Sequence, residues 1–416
     1  MDGTVAAREH DRMSTYADAT LPQMFPGNAT DAAGARAVFA EARRTATLAK
    51  GMFGPIAIHH SDVTELLRDK RLRGPGMDLA RLSGIPEGSR LWNRQAQILL
   101  FMEGEDHHRL RRLVSKAFTP RAVEALRPFT RETIAGLVAA VHDQGRCDAV
   151  PVLCDPFPIP VICALVGIEA DHLVDMSRWA SSILLSLRLD AGQFIDEIEQ
   201  AQGEMDDYLT GLIAQRRMAP RDDLLSNLIL AEEEGDRLSP SELLSVVAMM
   251  LVAGTDTTRN QLSNVIHTFA EHPDQWALLR ERPELVAAAV EEAIRWEPAT
   301  EALPRFAIDD IEIGGYLVPA GTIVVLMSMS ANHDDTVLPD ADAFDIARET
   351  PDGWHLLTFG GGIHYCLGAN LARLELTESL AELSSRFTTL SLAGDAVLHP
   401  AGSIIQGYAS LPISWT

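Results

Sequence analysis

Cysteine is scarce in this chain of 416 residues, and long apolar runs are missing. Cys147, Cys154, Cys163 and Cys366 show no CxxC spacing, which argues against a zinc ribbon or a ferredoxin-type cluster. The longest apolar run, 246–253, has eight residues, whereas a helix needs about 20 to cross a bilayer. The N-terminal stretch is polar and lacks the apolar core of a signal peptide. We therefore expect a cytoplasmic protein without a membrane partner.

Basic residues are also in short supply. The chain has 35 Lys and Arg against 59 Asp and Glu, a formal net charge of −24. The resulting negative field would repel nucleic acid over most of the surface. Hydrophobic content of 46% with 23% charged residues is ordinary for a globular protein. We expect a monomeric globular protein with no nucleic-acid partner.

Helical periodicity dominates the pattern of apolar residues. It predicts a mainly α protein with small β-sheets, folded as a single domain over 1–416, with an irregular segment at 1–30. Two long loops are expected at 73–97 and 350–365, and loops of that length often shape a site. The predicted helices are 122–141, 194–217, 239–271, 284–296 and 367–385, and the predicted strands are 56–59, 311–313, 322–327 and 404–415.

The most glycine-rich segment, FGGGIHYCLG at 359–368, contains the fourth cysteine. Helical periodicity follows directly, so Cys366 should lie just before a helix or in its first turn. Backbone N–H groups and the positive end of the helix dipole would favour its thiolate there. Thiolate is a soft ligand that can bind haem iron, and glycines let a flat group approach closely. A glycine-rich turn around a buried cysteine is the alternative at this point.

The full pattern of this segment, F-G-x-G-x-H-x-C-x-G, resembles the haem-binding loop of the cytochrome P450 family. The residues that carry the resemblance are Phe359, Gly360, Gly362, His364, Cys366 and Gly368. It implies a cytochrome P450 fold, haem b (iron protoporphyrin IX) as cofactor, and Cys366 as the proximal thiolate ligand of the iron. It also implies that N–H groups after Cys366 bind the sulfur and that Phe359 packs against the loop.

A second motif, AGTDTT at 253–258, lies inside the longest predicted helix. The hydroxyl of Thr257 can bond the backbone near Ala253 and bend the helix there. By itself the motif could also be a threonine pair with no chemistry. It resembles the oxygen-binding groove of the same family, with Ala253 beside the haem. The resemblance implies that Thr257 assists oxygen activation and that Asp256 relays protons.

Two further groups of residues match the family in order along the chain. Glu292 and Arg295 form an ExxR motif, and the resemblance implies a buried structural triad completed by Arg348. The haem propionates require cations. The resemblance assigns four residues to them: His107, Arg111, Arg305 and His355.

The resemblance implies a monooxygenase that hydroxylates or epoxidises a lipophilic small molecule with O2 and two electrons. No flavin or iron–sulfur segment is evident, so we expect a separate ferredoxin or flavodoxin to supply the electrons. A basic patch could receive an acidic donor, although one solvated basic helix face is the alternative. The residues of this predicted patch are Arg109, Arg112, Lys116 and Arg373.

Family position also predicts a mostly apolar substrate pocket, which suits a lipophilic ligand. Its predicted residues are Met249, Ala253, Ala302, Leu303, Ile404 and Ile405. One alternative function is a haem-thiolate peroxygenase, which would not need the relay at Asp256 and Thr257. Another is a haem sensor that binds ligand without turnover. A metal hydrolase built on His107 and His108 is disfavoured, because adjacent residues of a helix point apart.

Overall fold

The computed structural model describes residues 14–24, 32–233, 238–400 and 405–416. Most of the irregular segment predicted at 1–30, and the predicted pocket residue Ile404, lie outside the described residues. None of the described helices is both long and apolar enough to cross a membrane.

The described part of the chain is mainly helical, as predicted. Its α-helices are α1 (Ala32–Thr45), α2 (His60–Leu66), α3 (Gly76–Leu82), α4 (Arg90–Gln95), α5 (Gly104–Ala117), α6 (Pro120–Glu124), α7 (Arg127–Val141), α8 (Pro158–Val166), α9 (Leu173–Leu184), α10 (Ile195–Met218), α11 (Leu224–Glu233), α12 (Pro240–Glu271), α13 (Pro273–Glu281), α14 (Val286–Trp296), α15 (Ser328–Ala331) and α16 (Ala369–Arg386).

The strands are short and form small sheets. They are β1 (Leu48–Lys50), β2 (Pro55–Ala57), β3 (Leu72–Arg73), β4 (Arg146–Asp148), β5 (Leu303–Ala307), β6 (Ile311–Ile313), β7 (Tyr316–Val318), β8 (Ile323–Leu326), β9 (Leu390–Leu392), β10 (Val397–Leu398), β11 (Tyr408–Ser410) and β12 (Pro412–Trp415).

The chain divides into two compact units. The first comprises 1–75, 300–343 and 349–365, and contains a five-stranded sheet in the order β1-β2-β8-β5-β3. In this sheet β2 and β8 are parallel, with Ile56 opposite Val325. The apolar side chains of Leu48, Val324 and Leu326 are fully buried against the sheet and form its core.

The second unit comprises 76–299, 344–348 and 366–416, and holds most of the helices. Its central element is α12, with 32 residues. Ser239 and Glu242 form a capping box: Ser239 Oγ accepts from Glu242 N at 3.2 Å, and the Glu242 carboxylate accepts from Ser239 N at 2.7 Å. This reciprocal cap explains why the helix begins where the sequence predicts. A three-stranded sheet, β4-β12-β9, lies in the same unit.

Two predictions of local structure are wrong. The loop predicted at 73–97 contains α3 and α4. Ser89 Oγ caps α4 by accepting from Trp92 N at 3.1 Å, and Leu91 packs in a buried cluster with Ile198. Helices this short depend on tertiary packing, which local periodicity does not reveal.

The single helix predicted at 122–141 is also wrong, because the chain forms α6 and α7 instead. Pro128 occupies the first turn of α7. Proline is favoured in a first turn, where its missing N–H is not needed, so Pro128 suits the start of a new helix.

Candidate active site

Cys366 lies three residues before α16, as predicted, and is an exposed residue whose thiol is partly enclosed by the protein. Desolvation by the surrounding protein raises the pKa of the thiol, whereas the N–H groups of Gly368 and Ala369 and the charges of Arg111 and Arg373 lower it. The net shift is upward, so these surroundings alone do not produce the expected thiolate. A bound metal cation would add the missing positive charge, since a coordinating thiol loses its proton.

The loop before Cys366 belongs to the first unit and depends on two glycines in left-handed conformation. Gly360 has φ 69° and Gly362 has φ 63°. A Cβ on Gly362 would lie 2.4 Å from the carbonyl oxygen of Leu67. Asn332 holds the same loop, because its Oδ1 accepts from Leu357 N at 3.0 Å and its Nδ2 donates to Thr358 at 2.9 Å. The sequence carries no signal for this role of Asn332.

Replacement of Gly362 by alanine is expected to destabilise the first unit. Left-handed backbone at a non-glycine residue costs about 1–3 kcal/mol, and the clash with Leu67 O adds a similar amount. Gly353→Ala is the matched control, because Gly353 has φ 85° but nothing within 4 Å of an added Cβ. Urea unfolding of both variants measures the difference. Equal losses of stability would contradict the proposed clash.

The helix α12 has one open face in an otherwise buried environment. Ala253 is exposed and Thr257 is half-buried, whereas Leu251, Thr255 and Thr258 are buried. Thr257 Oγ1 donates to Ala253 O at 2.8 Å, which is the backbone contact predicted from the sequence. Because Ala253 and Thr257 are one turn apart, they lie on the same face.

Asp256, the residue before Thr257, is almost fully buried. Its Oδ1 lies 2.7 Å from Arg259 Nη2, and Arg259 Nε lies 3.5 Å from Asp155 Oδ1. Burial raises the pKa of Asp256, and the Arg259 charge opposes that shift. The guanidinium is therefore shared between a buried acid and an acid nearer the surface. The i,i+3 spacing of Asp256 and Arg259 was the available sequence signal for this pair.

A cavity of about 270 Å³ lies beside Asp256 in the second unit. Its lining contains both apolar and polar residues, and the volume is sufficient for several water molecules at about 30 Å³ each. The predicted pocket residue Ile405 lines this cavity, and Met249 is half-buried on α12. Ala302 and Leu303 are half-buried in the first unit. The lining residues are Ser181, Leu184, Leu185, Leu187, Arg188, Asp256, Arg259, Asn260, His399, Pro400 and Ile405.

A second buried acid connects α12 to α16. Thr258 Oγ1 donates to Glu375 Oε2 at 3.2 Å, and Glu375 is fully buried. Desolvation raises the pKa of Glu375 well above its usual value, and the hydrogen bond from Thr258 opposes that shift. This contact ties the residue next to Thr257 to the helix that follows Cys366.

The predicted triad is present at the end of α14. Arg295 donates to both oxygens of Glu292, at 2.7 and 2.8 Å, and Arg348 Nε donates to Glu292 Oε1 at 3.3 Å. Asp345 N donates to the same oxygen at 3.0 Å. All three charged side chains are at most 8% exposed. The second unit thus contains a buried ion cluster whose acceptor sites are well occupied.

The predicted propionate-binding residues are divided between the units. His107 is buried and Arg111 half-buried on α5 of the second unit, whereas Arg305 is buried and His355 half-buried in the first. Burial lowers the pKa of Arg111, and the neighbouring Cys366 raises it. Two further predicted haem neighbours, Phe359 and His364, are half-buried in the first unit.

The residues of the second unit fit a haem group. An exposed thiol that receives backbone N–H groups suits the iron, and a partly buried guanidinium near it suits a propionate. The open face of α12 offers small side chains that a flat macrocycle can approach. His107 is buried and His108 exposed, and the described residues contain no cluster of three or more His, Cys, Asp or Glu side chains that could hold a metal ion.

The positive charge of the predicted electron-donor patch is partly neutralised by neighbouring carboxylates. Arg109 is paired with Glu242, and Arg373 Nε lies 2.5 Å from Glu291 Oε1. Arg112 and Lys116 are exposed on α5. The carboxylate partners of Arg109 and Arg373 reduce the long-range attraction of these two cations.

Comparison with known proteins identifies relatives along nearly the whole chain. Luteothin monooxygenase of Streptomyces thioluteus is 38% identical over 379 residues, 90% of this chain and 91% of that protein. Nocardicin C N-oxygenase of Nocardia uniformis subsp. tsuyamanensis is 37% identical over 86% of this chain and 89% of its own length. The crystal structure of CalO2 matches with a TM-score of 0.87 and 29% identity, covering 94% of this chain and 98% of that one.

The family model described as Cytochrome P450 matches residues 169–402, more than half of the chain. This match agrees with the mainly helical fold and with the thiol before α16. The chain belongs to the cytochrome P450 family of haem b-containing monooxygenases.

Proposed function

We propose that this protein hydroxylates or epoxidises a lipophilic small molecule, using O2 and two electrons from a separate ferredoxin or flavodoxin. One observation carries the proposal. The second unit contains both an accessible thiol before α16 and an acid–threonine pair on α12, and these helices are joined by the contact between Thr258 and Glu375. An acid–threonine pair next to an open helix face suits proton delivery to a reacting oxygen.

Cys366 would bind the haem iron, with the amides of Gly368 and Ala369 directed at its sulfur. When bound through a thiolate, haem b supplies the activation of dioxygen and cleavage of the O–O bond. His107 and Arg111 would bind propionate from the second unit, and Arg305 and His355 are proposed for the same role. Phe359, Gly360 and His364 would belong to the loop beside the ligand. These side chains position the cofactor and stabilise its charge.

Asp256 would receive protons from water in the cavity that it lines. Its raised pKa favours proton uptake, and Arg259 keeps the carboxylate form accessible by offering a charge 2.7 Å away. Thr257 Oγ1 uses its hydrogen on Ala253 O, so the lone pairs of the oxygen remain as acceptors. In this proposal Asp256 relays protons, and Thr257 Oγ1 accepts a hydrogen bond from the proton being delivered.

The names of the relatives support a natural-product substrate. They describe a monooxygenase of luteothin and an N-oxygenase of nocardicin C. The apolar cavity wall at Leu184, Leu185 and Leu187 suits the lipophilic part of such a molecule. We propose the patch of Arg109, Arg112, Lys116 and Arg373 for contact with the electron donor, with Arg112 and Lys116 exposed on α5. A single catalytic domain, a monomeric state and a cytoplasmic location stay predictions.

Turnover by a Thr257→Val variant tests the proposal. A library of lipophilic natural products is first screened by the spin-state change that a bound substrate causes in the absorption spectrum. A hit is then incubated with a surrogate ferredoxin, its reductase and NADPH. We expect Thr257→Val to lower product formation about a hundredfold, as loss of a positioned proton-transfer group does, while NADPH consumption continues.

Thr255→Val is the matched control, because Thr255 Oγ1 makes the same type of bond, to Leu251 O at 2.6 Å, from a buried position. It should retain near wild-type coupling of NADPH to product. Equal effects of both variants would contradict the role of Thr257. Efficient turnover with hydrogen peroxide alone, unaffected by Thr257→Val, would favour a peroxygenase.

A further inference from the structure

The cavity beside Asp256 is bounded on one side by the segment 405–408. Backbone hydrogen bonds attach this segment to its surroundings. Gln406 N donates to Ala299 O at 2.7 Å, and Tyr408 N donates to Ser263 Oγ at 3.2 Å. Asn264 Nδ2 reaches Gln406 O at 3.4 Å. The backbone of the segment is therefore held against α12.

The buried carboxylate of Glu297 connects the side chain of Tyr408, in this segment, to α12. Glu297 Oε1 accepts from the Tyr408 hydroxyl at 2.8 Å, and Oε2 accepts from Thr268 Oγ1 at 3.0 Å. His267 Nδ1 lies 3.1 Å from Oε2, and its ring packs against Tyr408 with centroids 4.5 Å apart. Glu297 is 6% exposed. A buried polar network with this many partners is rigid, because each loss leaves a desolvated group.

The same segment touches α12 one turn after the proposed catalytic acid. A Cβ on Gly407 would lie 2.2 Å from Asn260 Oδ1. Asn260 also lines the cavity, and its Nδ2 donates to Asp256 O at 2.8 Å. Only a residue without a side chain allows this approach. The position of Ile405 is thus defined relative to the turn that contains Asp256.

We propose that Glu297 and Tyr408 are positioning residues that hold the Ile405 wall and so limit the size of ligand that the cavity accepts. The inference rests on the proposed function, since it concerns the ligand site of the haem enzyme. Removal of the Tyr408 hydroxyl takes away the hydrogen bond to Glu297 Oε1 and frees the segment to move. The ring of phenylalanine still fills the space, so the surrounding core is retained.

Two azoles of different size provide the test. Imidazole and the bulkier 4-phenylimidazole are titrated into the haem-loaded full chain, and each dissociation constant is read from the Soret shift on binding to the iron. In Tyr408→Phe we expect the affinity for 4-phenylimidazole, relative to that for imidazole, to rise about tenfold. This change is equivalent to about 1.4 kcal/mol. Tyr208→Phe is the control, because Tyr208 lies on α10 beside His172 and Trp179 and does not line the cavity.

A double-mutant cycle tests whether Tyr408 acts through Ile405. Ile405→Ala should shift the ratio in the same direction, and adding Tyr408→Phe should produce little further change, because both act on one wall. Additive shifts, or equal changes for both azoles, would overturn the inference alone. Absence of an azole spectrum in the wild type would overturn the proposed function and this inference with it. If Tyr408→Phe does not fold, Thr268→Val removes another donor to Glu297 and is subject to the same criteria.

Discussion

Replacement of Cys366 by serine is expected to abolish the red-shifted Soret band that thiolate-bound haem gives with carbon monoxide after reduction. Serine offers a hard, neutral hydroxyl where iron requires a soft anionic donor. Desolvation already raises the pKa of the thiol, and it would disfavour an alkoxide more strongly. Arg111 and Arg373 would keep their charges but lose the sulfur they stabilise. The measurement is the difference spectrum of dithionite-reduced protein with and without carbon monoxide.

Cys147→Ser is the control for this experiment. Cys147 is half-buried in β4, and burial raises the pKa of its thiol to about 11. It makes no contribution to the proposed site, so the variant should give the wild-type band. A Cys366→Ser protein that retained the band would contradict the assignment of the ligand. A wild type that held no haem after expression with haem supplied would contradict the proposed site.

Among the substitutions expected to affect stability, replacement of Glu292 by glutamine is expected to lower the free energy of unfolding most. The Glu292 carboxylate accepts from Arg295, Arg348 and the backbone N–H of Asp345. Loss of its charge would leave two buried guanidinium groups without their counter-ion. Removing one partner from a buried ion cluster costs about 3–5 kcal/mol. The free energy of unfolding is measured by urea titration, followed by circular dichroism, on the haem-loaded protein.

The neighbouring residue supplies the matched control. Glu291 lies on the same helix and pairs with Arg373, but the two side chains are 40% and 31% exposed. An exposed pair of this kind contributes about 1 kcal/mol or less. Glu291→Gln should therefore unfold at nearly the wild-type urea concentration. If Glu292→Gln lost no more stability than this control, the triad would not be the structural element we describe.

The sequence predicts best what is determined locally. The helix α12 is predicted almost to the residue, because its apolar period is long. The position of Cys366 before α16 followed from the same kind of evidence. The triad is predicted from an i,i+3 motif together with the family resemblance, and Glu292, Arg295 and Arg348 are in hydrogen-bond contact in the structure.

Features that depend on distant parts of the chain were not predictable in this way. The helices α3 and α4 are stabilised by packing on α10, which no local period indicates. The resemblance includes Gly362, but the sequence does not show why glycine is needed there. The cause is the carbonyl oxygen of Leu67, almost 300 residues earlier in the chain, which leaves no room for a Cβ. The bond between Tyr408 and Glu297 likewise spans 111 residues. Such contacts follow from the fold and cannot be read from spacing.

The attachment of the segment 405–408 has a consequence for how this enzyme could diversify. Its backbone is held by Ala299 and Ser263, and the Tyr408 hydroxyl is held by Glu297, while Ile405 lines the cavity. Under the proposal above, the attachment of the segment and the choice of ligand therefore depend on different atoms of the same short segment. Exchange of Ile405 for valine, leucine or methionine would reshape the cavity and leave the attachment intact. Related sequences could therefore change their ligand by substitution at position 405 alone, without compensating mutations elsewhere.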